Sequence, residues 1–143
     1  MTATDLYDRD FFEWTQRNAA LLRAGRLEEA DLEHIAEEIE DIGKSQEREL
    51  ESRLEVLLHH LLKWKLQPDR RSRSWRFTAN EQRREIEKLL RKMPSLRLTL
   101  SVTLPEAYAY AMRSAAEETE IPKSCFPESC PFAWDQILDE VGG

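Results

Sequence analysis

Hydrophobic residues recur along residues 28–67 with the spacing of one long helix. Ten stripe positions follow one another at intervals of three or four residues, and nine steps cover 32 residues, which is about 3.6 residues per step. The stripe keeps its phase across Gly43, so we predict an unbroken helix of about 60 Å. Because this exceeds the size of a compact domain of this length, we expect part of the helix to project or to pair with a second subunit. The stripe consists of Leu32, Ile35, Ile39, Ile42, Gln46, Leu50, Leu54, Leu57, Leu61 and Trp64.

A shorter helix is predicted before the long one. Asp8 and Asp10 can accept hydrogen bonds from the first backbone N–H groups of a helix that runs to about Arg23. Gly25 is expected to end this helix, because glycine takes the left-handed conformation without steric cost.

A third helix is predicted after the long one. Pro68 ends the long helix, and residues 69–76 form a polar connection that carries four arginines. Thr78 and Glu81 have the spacing of a capping box, in which each side chain bonds the other residue's backbone N–H. We therefore expect a helix that begins near Thr78 and continues through Lys92.

Residues 96–104 carry two conflicting signals. Apolar residues alternate strictly there, as in a strand. No second strand is predicted anywhere in the chain, and a lone strand would leave both edges unpaired. We therefore favour a short helix that uses the apolar set Leu96, Leu100 and Leu104.

The last part of the chain completes the predicted fold. Pro105 suits the first position of a helix that ends near Thr119. Residues 121–131 contain three prolines and two cysteines, which predicts a rigid irregular segment, and residues 132–140 form a short helix. The whole pattern predicts an all-α, single-domain bundle of four to five helices over residues 1–143, built around the long helix 28–67.

Composition fits a folded domain that needs no cofactor. The chain has 143 residues and a net charge of −7, with 19 Leu, 6 Ile and 3 Val for a core. A chain of this length buries enough surface to fold without metal or disulfide support. No apolar run approaches the roughly 18 residues of a membrane span, and residues 1–10 are acidic where a signal peptide is basic and then apolar. We expect a cytoplasmic protein without membrane partners.

Charge is distributed in three blocks. Residues 1–62 have a net charge of −9, residues 63–92 of +7 and residues 93–143 of −5. In the simpler interpretation these blocks neutralise one another on a solvated helical surface. In the alternative, the central block is a surface for a polyanion.

The central block supplies the candidate binding residues. Its arginines can neutralise phosphates, and Trp75 can stack on a base. The competing hypothesis is an internal salt-bridge hub, in which Arg71 pairs with Glu37, Glu38 or another acid of the long helix. The candidate binding set is His60, Lys63, Arg70, Arg71, Arg73, Trp75 and Arg76.

A metal site is a weak candidate. His34, Glu37, Glu38 and Asp41 lie within two predicted helical turns. The di-metal sites of helical bundles need a Glu-x-x-His pattern on two helices, which this chain lacks. We therefore predict no metal site and no cofactor, and a solvated acidic face in its place.

A family resemblance extends over nearly the whole chain. It rests on Tyr7, Asp10, Phe11, Trp14, Leu22-Arg23-x-Gly25-Arg26, Asp31-Leu32-Glu33, Glu37-Glu38-Ile39, Gly43, His60-Leu61-Leu62-Lys63-Trp64, Gln67-Pro68, Arg70-Arg71-Ser72, Ser74-Trp75, Glu81-Gln82-Arg83 and Phe126-Pro127-x-x-Cys130-Pro131. In order and spacing these residues resemble the bacterial domain-of-unknown-function family 29. The resemblance implies an all-helical fold and no established activity. Such proteins usually carry glycine where this chain has Glu120, so the chain departs from a glycine-type end to that helix.

These observations favour a helical protein-interaction module without catalytic activity, whose partner is another protein. A homodimer through the projecting part of the long helix is also considered. The alternative is a nucleic-acid-associated protein that uses the basic residues 63–84. A metal-dependent hydrolase or nuclease with Glu37, Glu38 and Asp41 as its acidic residues is the third hypothesis.

Overall fold

The computed structural model describes residues 2–138, and these fold into α-helices joined by turns. The described residues contain no strand, so the all-α prediction is confirmed. Short 3₁₀ turns precede α3, α4 and α5 and follow α5. No helix in this part of the chain is long and apolar enough to cross a membrane. The helices are α1 (Ala3–Arg9), α2 (Phe11–Arg23), α3 (Leu32–Leu66), α4 (Arg73–Lys92), α5 (Leu100–Thr119) and α6 (Trp134–Leu138).

The chain divides into two compact units, residues 1–46 and residues 47–143. The first unit begins with α1, a helix that the sequence analysis missed. A capping box starts it, because Thr2 and Asp5 each bond the other residue's backbone N–H. Asp8 lies inside α1, so its predicted capping role was wrong. Asp10 caps α2 as predicted, with the Glu13 N–H donating to its carboxylate over 3.0 Å.

Helix α2 ends at Arg23, and Gly25 terminates it as predicted. Gly25 has a φ of 73°, which only glycine adopts without a steric penalty. The Gly25 N–H donates to Leu22 O over 3.1 Å and the Arg26 N–H to Leu21 O over 2.9 Å. These two bonds form a Schellman motif, which satisfies carbonyls of the last turn.

The predicted long helix is confirmed, although it begins four residues later than predicted. Asp31 stands directly before α3, and its carboxylate accepts the His34 N–H over 3.4 Å. This capping geometry keeps Asp31 outside the helix. The helix continues through Gly43 without a break and ends at Leu66, before Pro68.

Helix α4 begins earlier than the sequence indicated. Ser72 is its N-cap and accepts the Trp75 N–H over 3.2 Å. The predicted start at the Thr78–Glu81 capping box was therefore wrong. The helix already begins at Arg73, where the Ser72 side chain accepts a backbone N–H of the first turn. The end at Lys92 is confirmed.

The ambiguous segment is helical, as we favoured. Residues Pro94–Thr99 form a 3₁₀ turn that leads directly into α5 at Leu100. Pro105 lies inside α5, so its predicted place at the first helical position was wrong. As the sixth residue of α5 it lies beyond the first turn, and its missing N–H removes one intrahelical hydrogen bond.

Helix α5 ends at Thr119 as predicted, and Glu120 follows in the left-handed conformation with a φ of 63°. The position thus takes the backbone conformation typical of glycine although its residue is glutamate. Farther along, α6 covers Trp134–Leu138 of the predicted helix 132–140. Residues 139 and 140 lie outside the described part.

The core of the second unit is formed by the C-terminal half of α3, α4 and α5, with α6 against them. Arg83 is its most unusual member, because this charged residue is only 2% exposed. Arg83 donates to Asn80 Oδ1 and to two main-chain carbonyls of α6, Gln136 O at 2.6 Å and Ile137 O at 2.8 Å. The fully buried hydrophobic residues are Leu50, Leu54, Leu57, Leu58, Leu62, Ile86, Ala107, Ala111, Ala115 and Ile137.

Candidate functional site

A small pocket lies in the second unit, between the end of α3 and the start of α4. His60 and Trp64 stand one turn apart on α3, and Trp75 and Ala79 stand one turn apart on α4, so each pair faces the same side of its helix. The enclosed space between these side chains is only about 10 Å³, enough for about one water molecule. Because sites for drug-sized ligands measure roughly 300–1,000 Å³, this pocket is a narrow gap between packed side chains. We call it the two-tryptophan pocket, and it is lined by His60, Leu61, Trp64, Trp75, Arg76 and Ala79.

Each tryptophan of the pocket carries a cation on its ring. Lys63 Nζ lies 4.5 Å from the ring centre of Trp75, and the Arg71 guanidinium lies 5.0 Å from the ring centre of Trp64. Arg71 also donates from Nε to Trp64 O over 2.7 Å. The expected ion pair between Arg71 and an acid of the long helix is replaced, within this unit, by contacts with Trp64. Both cations are attracted to the negative faces of the indole rings.

Lys63 connects the pocket to a charged network on α5. The residue is 5% exposed, and its ammonium group lies 3.2 Å from Glu118 Oε2. Glu118 also accepts a short hydrogen bond from His59 Nε2, and His59 Nδ1 lies 2.8 Å from Ser114 Oγ. Burial by itself would raise the pKa of the Glu118 carboxyl, but the bonds from His59 and Lys63 outweigh it and lower this pKa. The Glu118 carboxylate is therefore held in its charged form.

His60 lines the pocket as a neutral imidazole. Burial lowers its pKa, and the positive charge of Lys63 lowers it further. Its Nδ1 lies 2.9 Å from Val56 O, and because a carbonyl only accepts, Nδ1 carries the proton. The Nε2 atom of the neutral ring is then an acceptor.

The arginines at the start of α4 differ from the basic residues farther along this helix. Arg70, Arg73 and Arg76 form no ion pair with any described carboxylate, whereas three later cations of α4 each pair with a glutamate one turn away along the helix. The pairs are Arg84 with Glu81, Lys88 with Glu85 at 3.3 Å, and Arg91 with Glu87 at 2.9 Å. Positive charge is thus concentrated beside the two-tryptophan pocket.

The structure brings together five of the seven residues in the predicted binding set. His60, Trp75 and Arg76 line the two-tryptophan pocket, while Lys63 and Arg71 lie on its tryptophan rings. The other two, Arg70 and Arg73, are exposed and do not line it.

Sequence reasoning missed two aromatic residues of this region. Trp64 forms the second wall, and its spacing of four residues from His60 was the available signal. Phe77 is 64% exposed on α4, whereas Trp75 is half-buried beneath Lys63.

A second polar cluster lies in the first unit, around the buried carboxylate of Asp31. The indole N–H of Trp14 donates to Asp31 over 2.9 Å, and His34 Nδ1 donates to the same oxygen over 2.6 Å. The Asp31 N–H donates to Asn18 Oδ1 over 2.8 Å. The bond to Asp31 raises the pKa of His34. Sequence reasoning did not assign this cluster, although Asn18 on an otherwise apolar face was a signal for it.

Tyr7 completes that cluster. Its ring stacks on His34 with 3.8 Å between the ring centres, and its hydroxyl donates to Glu38 Oε1 over 2.5 Å. This hydrogen bond raises the pKa of Tyr7 to about 12, because ionisation would place two negative charges together.

Two of the four weak metal candidates, His34 and Glu38, form hydrogen bonds with other residues. His34 bonds Asp31, Glu38 accepts from Tyr7, Glu37 Oε2 lies 3.9 Å from His34 Nε2, and Asp41 is exposed. Within residues 2–138, no group of three or more histidine, cysteine or acidic side chains is arranged to hold a metal ion.

The fold defines an all-α protein built on one long helix, with a tryptophan- and arginine-lined pocket in its second unit. The chain belongs to the family described as domain of unknown function DUF29, whose model matches residues 6–141. No curated protein and no solved structure matches the chain significantly. The description of the family assigns no activity to the chain.

Proposed function

We propose that the protein is a helical interaction module that binds a partner protein through the N-terminal half of α3. The observation that carries this proposal is an exposed apolar stripe on that half. Leu32, Ile39 and Ile42 are 49%, 64% and 61% exposed, although their spacing places them on one face of the helix. Aliphatic side chains that recur at helical spacing and remain in water mark a surface that another helix can cover.

The charge around the stripe specifies the chemistry of the partner. Residues 1–46 contain 12 acidic and 5 basic residues, which gives this unit a net charge of −7. Glu33, Glu37, Glu40 and Asp41 are exposed on the same half of α3. The partner segment is therefore a basic amphipathic helix, whose apolar side packs on the stripe and whose lysines or arginines face these acids.

A second copy of the chain fits this surface less well. Pairing two copies through the stripe would bring two units of charge −7 together, and like charges across an interface oppose association. The proposal therefore favours a different protein over a homodimer.

Two synthetic peptides test the proposal directly. An 18-residue amphipathic peptide of leucine and lysine is titrated into the protein and followed by fluorescence anisotropy, beside a leucine–glutamate peptide of the same pattern. We expect the basic peptide to bind and the acidic one not to bind. The double variant Ile39→Gln/Ile42→Gln is expected to weaken binding at least tenfold, because it removes the centre of the apolar stripe.

The matched control is Leu98→Gln/Val102→Gln. These residues are 82% and 66% exposed in the second unit, so the control removes similar apolar surface elsewhere. Equal weakening by both double variants would disprove the assignment to α3. Dimerisation that Ile39→Gln/Ile42→Gln abolishes would show that the stripe serves a second copy instead.

A further inference from the structure

We propose that helix α5 pairs with α5 of a second copy of the chain, so that the protein forms an antiparallel dimer through this helix. The pairing uses the side of α5 that is exposed to solvent in the second unit. It does not involve the stripe on α3, so this proposal and the proposed function stand or fall separately.

One side of α5 packs in the core and the other side is uncovered. Ala107, Ala111 and Ala115 are fully buried on the core side, whereas Val102 and Tyr110 are 66% and 52% exposed. At 3.6 residues per turn, six exposed residues fall within about 100° of one another around the helix axis. We call them the α5 face, which consists of Val102, Glu106, Ala109, Tyr110, Arg113 and Glu117.

Two opposite charges on the α5 face have no partner within the described chain. Glu106 and Arg113 are both exposed, and neither forms an ion pair with any residue that the structure describes. They stand about two helical turns apart, which is about 10 Å along the axis. A neighbouring helix that carries the same two charges in the reverse order would therefore satisfy both of them.

The order of the two charges selects an antiparallel pair of identical helices. With a twofold axis between Ala109 and Tyr110, Glu106 of each copy lies opposite Arg113 of the other copy. The contact is reciprocal, so one interface forms both ion pairs. In a parallel pair each residue would face its own equivalent, and glutamate would meet glutamate while arginine met arginine. Like charges across an interface oppose association, so the parallel pair is disfavoured.

The size and charge of the surrounding residues allow this approach. The side chain of Ala109 is a single methyl group, so the two helices can come close at the axis. Val102 and Tyr110 supply apolar surface on either side of it. Residues 47–143 contain 16 acidic and 16 basic residues, so the second unit has no net charge that would repel its copy. One helix face is small beside the roughly 800 Å² per partner of a standard interface, and we therefore expect a weak, concentration-dependent dimer.

Sedimentation velocity of the full chain at protein concentrations from about 5 to about 500 µM measures the dimer. We expect Glu106→Arg and Arg113→Glu each to weaken dimerisation at least tenfold, because each places like charges opposite one another in both halves of the interface. The matched control is Lys92→Glu, which reverses an exposed charge at the end of α4 and should stay within twofold of the wild type. A wild-type chain that remains monomeric over the whole range would overturn the proposal.

A mixture of the two charge-reversal variants tests the antiparallel register itself. Glu106→Arg presents only basic side chains at the two positions and Arg113→Glu only acidic ones, so a pair with one copy of each restores both ion pairs. We expect the equimolar mixture to dimerise as strongly as the wild type although neither variant does so alone. Recovery in the mixture cannot arise from variants that have failed to fold. A mixture that stays monomeric would overturn the proposed register.

Two further variants separate the α5 face from other surfaces. Val102→Gln/Tyr110→Gln is expected to weaken dimerisation at least tenfold, because it removes the apolar part of the face. Ile39→Gln/Ile42→Gln is expected to leave dimerisation unchanged. The reverse result, with dimerisation lost in the α3 variant and kept in the α5 variant, would overturn the pairing through α5.

Discussion

The ammonium group of Lys63 lies 4.5 Å from the ring centre of Trp75 and thereby joins the wall of the pocket to the interior of the second unit. The same ammonium group lies within hydrogen-bonding distance of Glu118 on α5, at 3.3 Å from Oε1. The charge of Glu118 therefore helps to fix a residue that supports the tryptophan. A change in the charge of Glu118 is therefore expected to alter the position of Lys63 on the Trp75 ring. Measurements of stability and of tryptophan fluorescence can test this connection.

Glu118→Gln is expected to lower the free energy of unfolding at pH 7 by about 1 kcal/mol, since Lys63 and His59 lose a charged acceptor that is itself about half exposed. Because folding lowers the pKa of Glu118, its contribution is present above the unfolded value near 4.5 and is lost as the pH falls through the folded value. The difference between wild type and variant should therefore shrink below about pH 4.5. Urea denaturation at several pH values measures it.

The control for that prediction is Glu117→Gln, which removes an exposed carboxylate from the neighbouring position of α5. It is expected to change stability by less than about 0.5 kcal/mol at every pH. A pH-independent loss in Glu118→Gln would show that its side chain contributes by packing alone.

Arg83→Lys is expected to destabilise the second unit by about 2 kcal/mol. The planar guanidinium reaches two carbonyls of α6 and Asn80 at once, and a single ammonium group cannot reproduce that geometry in a buried site. The neighbouring substitution Arg84→Lys alters an exposed residue and should stay within about 0.5 kcal/mol of the wild type. Denaturant midpoints with unchanged m-values report both effects. Similar midpoints for the two variants would contradict a stabilising role for the Arg83 hydrogen bonds to α6.

Glu120→Gly is expected to stabilise the protein by about 1 kcal/mol. Glu120 has a φ of 63°, and this conformation costs a residue with a Cβ atom roughly 1–2 kcal/mol. Glycine removes that cost, but its greater conformational entropy in the unfolded state offsets part of the gain. The comparison is Glu117→Gly inside α5, where the same change should cost about 1 kcal/mol. Thermal melting distinguishes the two opposite signs. A lower melting temperature for Glu120→Gly would show that the glutamate contributes more than its backbone costs.

Asp31→Asn is expected to lower the pKa of His34, because it removes the carboxylate that raises it. Asparagine also caps helices well, so the start of α3 should persist. In the wild type, the contribution of His34 is complete below its unfolded pKa near 6.5 and is lost as the pH rises through the folded value. The contribution of Asp31, whose pKa is lowered, is lost as the pH falls below about 4. Proton NMR titration of the His34 ring tests the shift, and an unchanged pKa would contradict it.

The long helix could be predicted because its signal is redundant. A stripe of ten positions tolerates the interruptions at Gly43 and Gln46. The end of α3 before Pro68 and the end of α2 before Gly25 follow from the backbone chemistry of proline and glycine. Helix starts were harder to predict, because several residues near each start can cap. Ser72 and Thr78 are both good caps, and the sequence contains no information on which one the tertiary fold would use.

The candidate site was predicted in part for a similar reason. Local spacing indicated the basic segment and Trp75, but the second wall of the pocket comes from α3 and depends on how two helices pack. The Asp31 cluster depends on contacts between α2 and the start of α3, up to 17 residues apart in the sequence. The charge blocks predicted an ion pair between Arg71 and an acidic residue. In the structure Arg71 instead contacts both the carbonyl and the ring of Trp64.

The bonds from Arg83 to α6 also have a consequence for synthesis of the protein on the ribosome. The guanidinium group is made 53 and 54 residues before the carbonyls of Gln136 and Ile137 that it binds. Until that last stretch emerges, the growing chain holds a cation at the centre of its future core with those two acceptors absent. A nascent chain that stalls before Gln136 therefore leaves the Arg83 guanidinium without two of its native acceptors, and water must solvate that side of α4 in their place.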